Sequence, residues 1–289
     1  MRRSLSAAIY VLSTAIGVVA FVYPFVLDVR ATGSLGVAHS QDAPLVTAAL
    51  VGLSLVALLV ELQGQAISAK TVAMLGVLVA ITSVLRFVEV AVPMPGGFSP
   101  VFVPIILAGY VFGSRFGFLM GAFTLLVSGL ITGGVGPWLP YQMFASGWVG
   151  MSAGWLGQIS NLQSHGQRPA SGTGDWRLEI VVLSVFGFAW GLLYGAIINV
   201  YFWPFAAGPV EQTWTPGIGL GETLARYAAF YVATSLGWDL VRAAGNVALI
   251  LLLGVPMVHT LARFQRRFHF EVHPAHGCTH GCTHPPHPR

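Results

Sequence analysis

Eight apolar runs, each close to the roughly 20 helical residues that cross a ~30 Å hydrocarbon core, divide this chain and leave little of it for anything else. They fall at roughly 5–27, 43–61, 70–92, 99–113, 115–133, 139–158, 178–203 and 222–256. The charge content supports the same reading. Only 8% of the 289 residues are charged and 55% are apolar, whereas a soluble domain carries about 25% charged residues. So little charge does not cover a water-facing surface, and the chain needs lipid as its solvent. The predicted fold class is therefore an all-α polytopic membrane protein of about eight transmembrane helices. The 35 glycines and 17 prolines suit membrane helices, which tolerate both better than soluble ones do. A net charge of +4 is too small to argue for nucleic acid. Met1-Arg2-Arg3 opens like a signal peptide, but the apolar run continues to Val26 with no small-x-small cleavage site before Pro24. It is read as a span.

The fourth run is short, with Pro100 and Pro104 in its first turn, where proline is tolerated; it reads as a short or broken span. Gly113-Ser114-Arg115 is a tight turn between the fourth and fifth. The last run exceeds what a bilayer needs, so it starts in the outer interface, tilts, or breaks near Gly237. With a cytoplasmic N-terminus, the inner side holds Arg2, Arg3, Lys70, Arg115, Arg168, Arg177, Arg263, Arg266 and Arg267. The outer side holds Arg30, Arg226 and Arg86. That bias obeys the positive-inside rule and puts both termini in the cytoplasm. Tyr23-Pro24-Phe25, Trp138, Trp203-Pro204-Phe205 and Trp214 fall at outer helix ends, where an interfacial aromatic belt is expected. Residues 28–42 and 206–221 read as polar outer loops, and 160–176 as a Gly/Ser-rich inner loop.

Two constellations stand out by their depth in the bilayer. In the last run, Asp239, Arg242 and Asn246 share one helix face by their i, i+3, i+7 spacing. Intramembrane charge is costly and either pairs or faces a cavity, so the stripe reads as a ligand lining or as an ion pair clamping two helices. Arg86 and Glu89 repeat the i, i+3 pattern nearer the outer end of the third run, beside an outward-facing pocket or as a solvated pair. The rigid yet permissive loop Pro93-Met94-Pro95-Gly96-Gly97-Phe98-Ser99-Pro100 is a candidate lid, or an ordinary hairpin turn. Opposite it, Gly133-Gly134-Val135-Gly136-Pro137-Trp138 leads into Tyr141 and Gln142, which offer stacking surface and an amide. No Gly-Lys-Ser/Thr follows, so ATP binding is not read here. Asn199, with Tyr194, Tyr201 and Trp203 nearby, needs a partner for its amide, either another helix or a ligand. Trp148 and Trp155 read as packing residues.

The tail from Arg263 is basic, then rich in His and Pro, and is expected to be disordered. His276, Cys278, His280, Cys282 and His284 are of the type that binds zinc, nickel, cobalt or copper. Cys278 and Cys282 are the chain's two cysteines, so no disulfide framework is expected. The chain has no Ser-His-Asp grouping, no His-Glu-x-x-His and no dinucleotide fingerprint, and an enzyme is not expected.

From Lys70 onward the order of features resembles the substrate-binding (S) component of energy-coupling factor (ECF) vitamin transporters. The resemblance rests on Ala69-Lys70-Thr71-Val72-Ala73-Met74-Leu75-Gly76-Val77-Leu78-Val79-Ala80, on the Pro95–Pro100 loop, and on Pro104 through Gly117 with Gly121-Ala122 beyond. It implies a six-helix binding core over 70–258, preceded by two extra helices in 1–69 and followed by the cytoplasmic tail 259–289. It implies capture of a vitamin-like molecule at the outer face, a transmembrane coupling protein and two ATPase subunits as partners, and ATP hydrolysed by those partners, with no cofactor in this chain. It further implies a multi-pass protein of a bacterial or archaeal plasma membrane, and docking through Ala69, Ala73, Gly76 and Ala80, small residues that let helices approach closely in lipid. The outer loops and the Trp238-Asp239-x-x-Arg242 stripe look most like the subgroup proposed to import cobalamin. The candidate ligand residues are Phe98, Trp138, Tyr141, Gln142, Asn199, Trp203, Trp238 and Asp239, with Arg242 and Asn246 supporting Asp239. The alternative is cobalt or nickel uptake through the Cys/His tail.

Overall fold

In a computed structural model, residues 2–26, 48, 52, 69–92, 95–160 and 176–268 are described, and every regular element among them is helical. The eight helices among the described residues are α1 (Arg2–Val26), α2 (Ala69–Ala91), α3 (Phe102–Phe112), α4 (Ser114–Thr132), α5 (Leu139–Ile159), α6 (Trp176–Phe202), α7 (Leu220–Thr234) and α8 (Leu236–Phe268). Short 3-10 turns occupy Pro95–Gly97, Trp203–Phe205 and Val210–Gln212. The expected second span at 43–61 and the tail from residue 269 lie outside the described residues, apart from isolated positions in the former.

Among the described residues, five stretches are long and apolar enough to cross a membrane: Ala8–Val26, Lys70–Ala91, Ser114–Thr132, Trp176–Phe205 and Leu236–Gln265. The chain is a multi-pass membrane protein. The fourth expected span is the short helix α3, with 11 residues, or about 16 Å at 1.5 Å per residue. It is apolar on every face, and Phe102 through Val111 are all buried. A helix apolar all round belongs inside a bundle. Gly113, at φ 100° and ψ 171°, turns the chain from α3 into α4 in a conformation that a Cβ disfavours. At the same end of α3 the Gln265 amide donates to the Val111 carbonyl at 2.9 Å, satisfying one of the acceptors that the α3 C-terminus leaves open.

Around α3, helices α4 and α5 meet backbone to backbone. A Cβ on Gly117 or Gly150 would overlap the other's carbonyl, so both positions are closed to any larger residue. This contact, rather than a wide apolar stripe, holds α5: its glycines and most of its length are buried. Helix α1 seats on α5 and α6. Its buried side carries Ile9, Tyr10, Ser13, Ala20 and Phe21, while Val11, Leu12, Val18, Val19 and Val22 face outward, the division expected of a helix with one side on protein and one on lipid.

The long last run breaks at Ser235 (φ −133°, ψ −26°), two residues before Gly237. Backbone bonds continue across the break, from Ser235 to Tyr231 at 2.9 Å and from Asp239 to Ser235 at 3.0 Å. The polar group that holds the bend is Asn199 on α6, whose amide donates to the Ser235 hydroxyl at 2.6 Å.

Candidate functional site

The buried stripe of α8 lies along a glycine ladder on α6. Gly187, Gly191 and Gly195 recur every fourth residue and so share one face. Without side chains there, α8 approaches closely enough for its polar groups to reach the α6 backbone. Asn246 donates to the Gly187 carbonyl at 2.9 Å and Arg242 reaches the Gly191 carbonyl at 3.4 Å. A Cβ on Gly195 would fall inside the Asp239 carboxylate. Asp239 is only 2% exposed and pairs with Arg242, whose side chain is 17% exposed. One carboxylate oxygen of Asp239 (Oδ2) and the amide oxygen of Asn246 (Oδ1) are buried without a hydrogen-bond partner. Each leaves an acceptor unused where an unmade bond costs on the order of 1–3 kcal/mol.

From this stripe a polar group extends to the outer end, as the charge bias assigns it. The Arg242 guanidinium lies 5.5 Å from the Tyr194 ring centroid and 5.8 Å from that of Phe102. Those two rings meet edge to face at 4.6 Å. On α2, Arg86 and Glu89 pair at 3.5 Å, and the Ser99 hydroxyl donates to Glu89 at 2.8 Å. The Pro95–Pro100 loop is thereby tied to α2. It also lies on α8: Gly96 faces Val241, Gly97 faces Trp238, and the Phe98 ring covers Gly245. The positive φ of Gly96 and Gly97 (66° and 77°) shapes that approach. Phe98, Asp239, Arg242 and Asn246 therefore belong to one neighbourhood, with Arg86, Glu89, Ser99, Phe102 and Tyr194 added to it. Trp238 borders it but is 58% exposed.

A second outer group is aromatic. Tyr141, fully buried, meets Tyr201 at 4.6 Å and Phe21 of α1 at 5.0 Å. Trp203 donates its indole N–H to the Gln212 carbonyl at 2.8 Å and meets Tyr227 at 5.0 Å and Phe25 at 5.8 Å. Phe25 also meets Trp214 at 5.4 Å. This corrects the expected interfacial belt: Trp203 and Trp214 are buried with Ala206 and Phe230 in a small core of their own, because rings facing other rings have no need of the interface. Trp138 is half-exposed at the start of α5. It folds back on its own turn, its indole N–H on the Gly134 carbonyl at 3.3 Å and its ring against Gly136. Gln142 follows Tyr141 and is half-buried. Of the two expected packing tryptophans, Trp148 stacks on Phe144, whereas Trp155 is 52% exposed and faces outward.

On α2, Ala73, Gly76 and Ala80 are exposed, and a Cβ on Gly76 would touch nothing within 4 Å. Ala69 begins the same helix. Within the described residues this small-residue face is not used for packing inside the chain. The candidate metal residues His276, Cys278, His280, Cys282 and His284 lie outside the described residues, and among the described residues no His/Cys/Asp/Glu group is arranged to hold a metal ion.

A family model described as ECF transporter, substrate-specific component, matches residues 70–254, well over half of the chain. No curated protein and no solved structure matches it.

Proposed function

The chain belongs to the family of ECF transporter substrate-specific components, and we propose that it captures a vitamin-like, ring-bearing small molecule between the outer ends of the core helices that follow α1. As a member of that family it is the membrane S component of an ECF importer and works with that complex's transmembrane and ATPase subunits. The observation that carries the ligand reading is the convergence on the outer end of an Arg–Asp pair, an Arg–Glu pair and the rings of Phe98, Phe102 and Tyr194. Charged side chains at bilayer depth face one another or a cavity. Binding sites of small molecules combine mostly apolar walls with a few placed polar groups. Two cations and two carboxylates sum to zero, which favours a ligand that is neutral or zwitterionic overall and is held by ring faces and hydrogen bonds. A corrinoid fits that description, and so does riboflavin.

Helix α2 is the proposed docking face. Its exposed Ala73, Gly76 and Ala80 give a partner helix room for close approach, which drives association in lipid where the hydrophobic effect does not. The chain then sits in the plasma membrane with both termini cytoplasmic, as its charge bias requires. Co-expression with a coupling protein and the ATPase subunits, followed by purification and mass spectrometry of retained small molecules, tests the reading. A stable complex carrying a vitamin is the expected result; failure to form any such complex refutes it.

A further inference from the structure

Helix α1 lies outside the stretch that the family model matches, yet its outer half meets two of the candidate ligand residues. Phe21, 5% exposed, packs edge to face on Tyr141 and lies 5.9 Å from Trp148. Phe25, one turn further out, packs on Trp203 and Trp214. Gly17, one turn inward, lets the helix press against α5: a Cβ there would come within 2.8 Å of the Phe144 ring and 2.9 Å of Trp148. The three positions are spaced by four residues and so form one stripe. Its two outer positions, Phe21 and Phe25, are the ones whose rings reach the outer aromatic group. At the inner end Tyr10 packs on Phe118 at 5.6 Å, away from either outer group. A helix that only anchored itself would need apolar area, not two rings directed at the rings that line the outer end.

We propose that α1 is a wall of the outer site, and that Phe21 and Phe25 are positioning residues which hold Tyr141 and Trp203 and control access between them. This rests on the reading that Tyr141 and Trp203 line a ligand site. The ring contacts then do two things. They fix the two side chains in one orientation, which lowers the entropy lost when a flat ligand stacks on them. They also make opening of the outer end depend on movement of α1, so the site opens only when four ring contacts are given up together.

The test uses the full chain with Cys278→Ser and Cys282→Ser, carrying Ala206→Cys as a reporter. Ala206 is 7% exposed and belongs to the Trp203–Trp214 group. A membrane-impermeant maleimide is applied to intact cells. Phe25→Leu keeps the apolar volume but removes the ring, and is expected to speed labelling about tenfold, the shift in open population that loss of two aromatic contacts produces. Phe25→Trp is expected to restore slow labelling. Tyr10→Leu removes a ring contact at the inner end of α1 and is expected to leave the rate unchanged. In a second arm, purified Phe21→Leu/Phe25→Leu chain that still elutes as a single folded species is compared with the parent for binding of radiolabelled cyanocobalamin and riboflavin, with an expected rise in Kd of about tenfold or more. Equal labelling in parent and Phe25→Leu overturns the proposal, as does equal acceleration by Tyr10→Leu, or an unchanged Kd for whichever vitamin the parent binds. If the parent binds neither vitamin, those two ligands are struck from the functional reading, and the labelling arm still decides the role of α1.

Discussion

Removing Arg242 separates a ligand lining from a helix clamp, because the two make opposite demands on a double variant. Arg242→Met keeps most of the side-chain volume. It deletes the ion pair with Asp239, the bond to the Gly191 carbonyl at 3.4 Å, and the two ring contacts at 5.5 and 5.8 Å. Asp239 is then a carboxylate at 2% exposure with neither oxygen bonded by Arg242, and Oδ2 had no partner to begin with. Breaking a buried pair from one side costs about 3–5 kcal/mol, while replacing both partners is often close to neutral. The expected result is a loss of about 3–5 kcal/mol for Arg242→Met and only about 1–2 kcal/mol for Asp239→Asn/Arg242→Met, which leaves a neutral amide beside Gly195. Neutral interhelical hydrogen bonds in membranes couple by at most about 1.7 kcal/mol, so a charged, desolvated pair must exceed that. Reversible unfolding in bicelles, run as a double-mutant cycle, measures the coupling. A coupling below that ceiling refutes the claim that this pair is desolvated. If the coupling is large, ligand retention by the double variant decides the role: retained binding makes the pair a clamp, and lost binding in a folded protein makes it a lining.

Other substitutions probe the remaining contacts. Gly117→Leu or Gly150→Leu forces α4 and α5 apart, because each position faces the other's carbonyl; a destabilisation of about 3 kcal/mol or failure to accumulate in the membrane is expected, checked by fluorescence-detected size exclusion. Gly76→Leu, with open space around it, is expected to leave the melting temperature unchanged and to abolish co-purification with the coupling protein. Truncation after Arg267 removes all five candidate metal residues of the tail; retention on a nickel column is expected to fall while vitamin uptake is unchanged, and loss of metal-dependent growth would instead favour the metal-uptake reading. Ser235→Ala deprives Asn199 of the acceptor it holds at 2.6 Å and is expected to cost about 1 kcal/mol, read as a lowered melting temperature.

Membrane character and helix positions were legible because each follows from local composition: a run of apolar residues needs lipid or a bundle interior whatever lies next to it. The polar stripe was legible for the same reason, since Asp239, Arg242 and Asn246 are anomalous in an apolar run and their spacing assigns them one face. What the stripe touches was not. Gly187, Gly191 and Gly195 carry a spacing that marks close helix approach, so the ladder was available as a signal, but nothing in either run says that these two helices are the ones that meet. The aromatic group shows the limit more sharply. Trp203 and Trp214 have the composition and position of interfacial anchors, and contact with Tyr227, Phe230 and, far upstream, Phe25 puts them in a core. Ser99 and Phe102 escaped for a different reason: a serine and a phenylalanine at a helix start are unremarkable until Glu89 and Arg242 are seen to lie against them. Residues that a chemical anomaly exposes can thus be found from sequence, whereas residues made special by a distant neighbour cannot. The wall that α1 lends to the outer site is of the second kind, which is why a family model confined to residues 70–254 is silent about it.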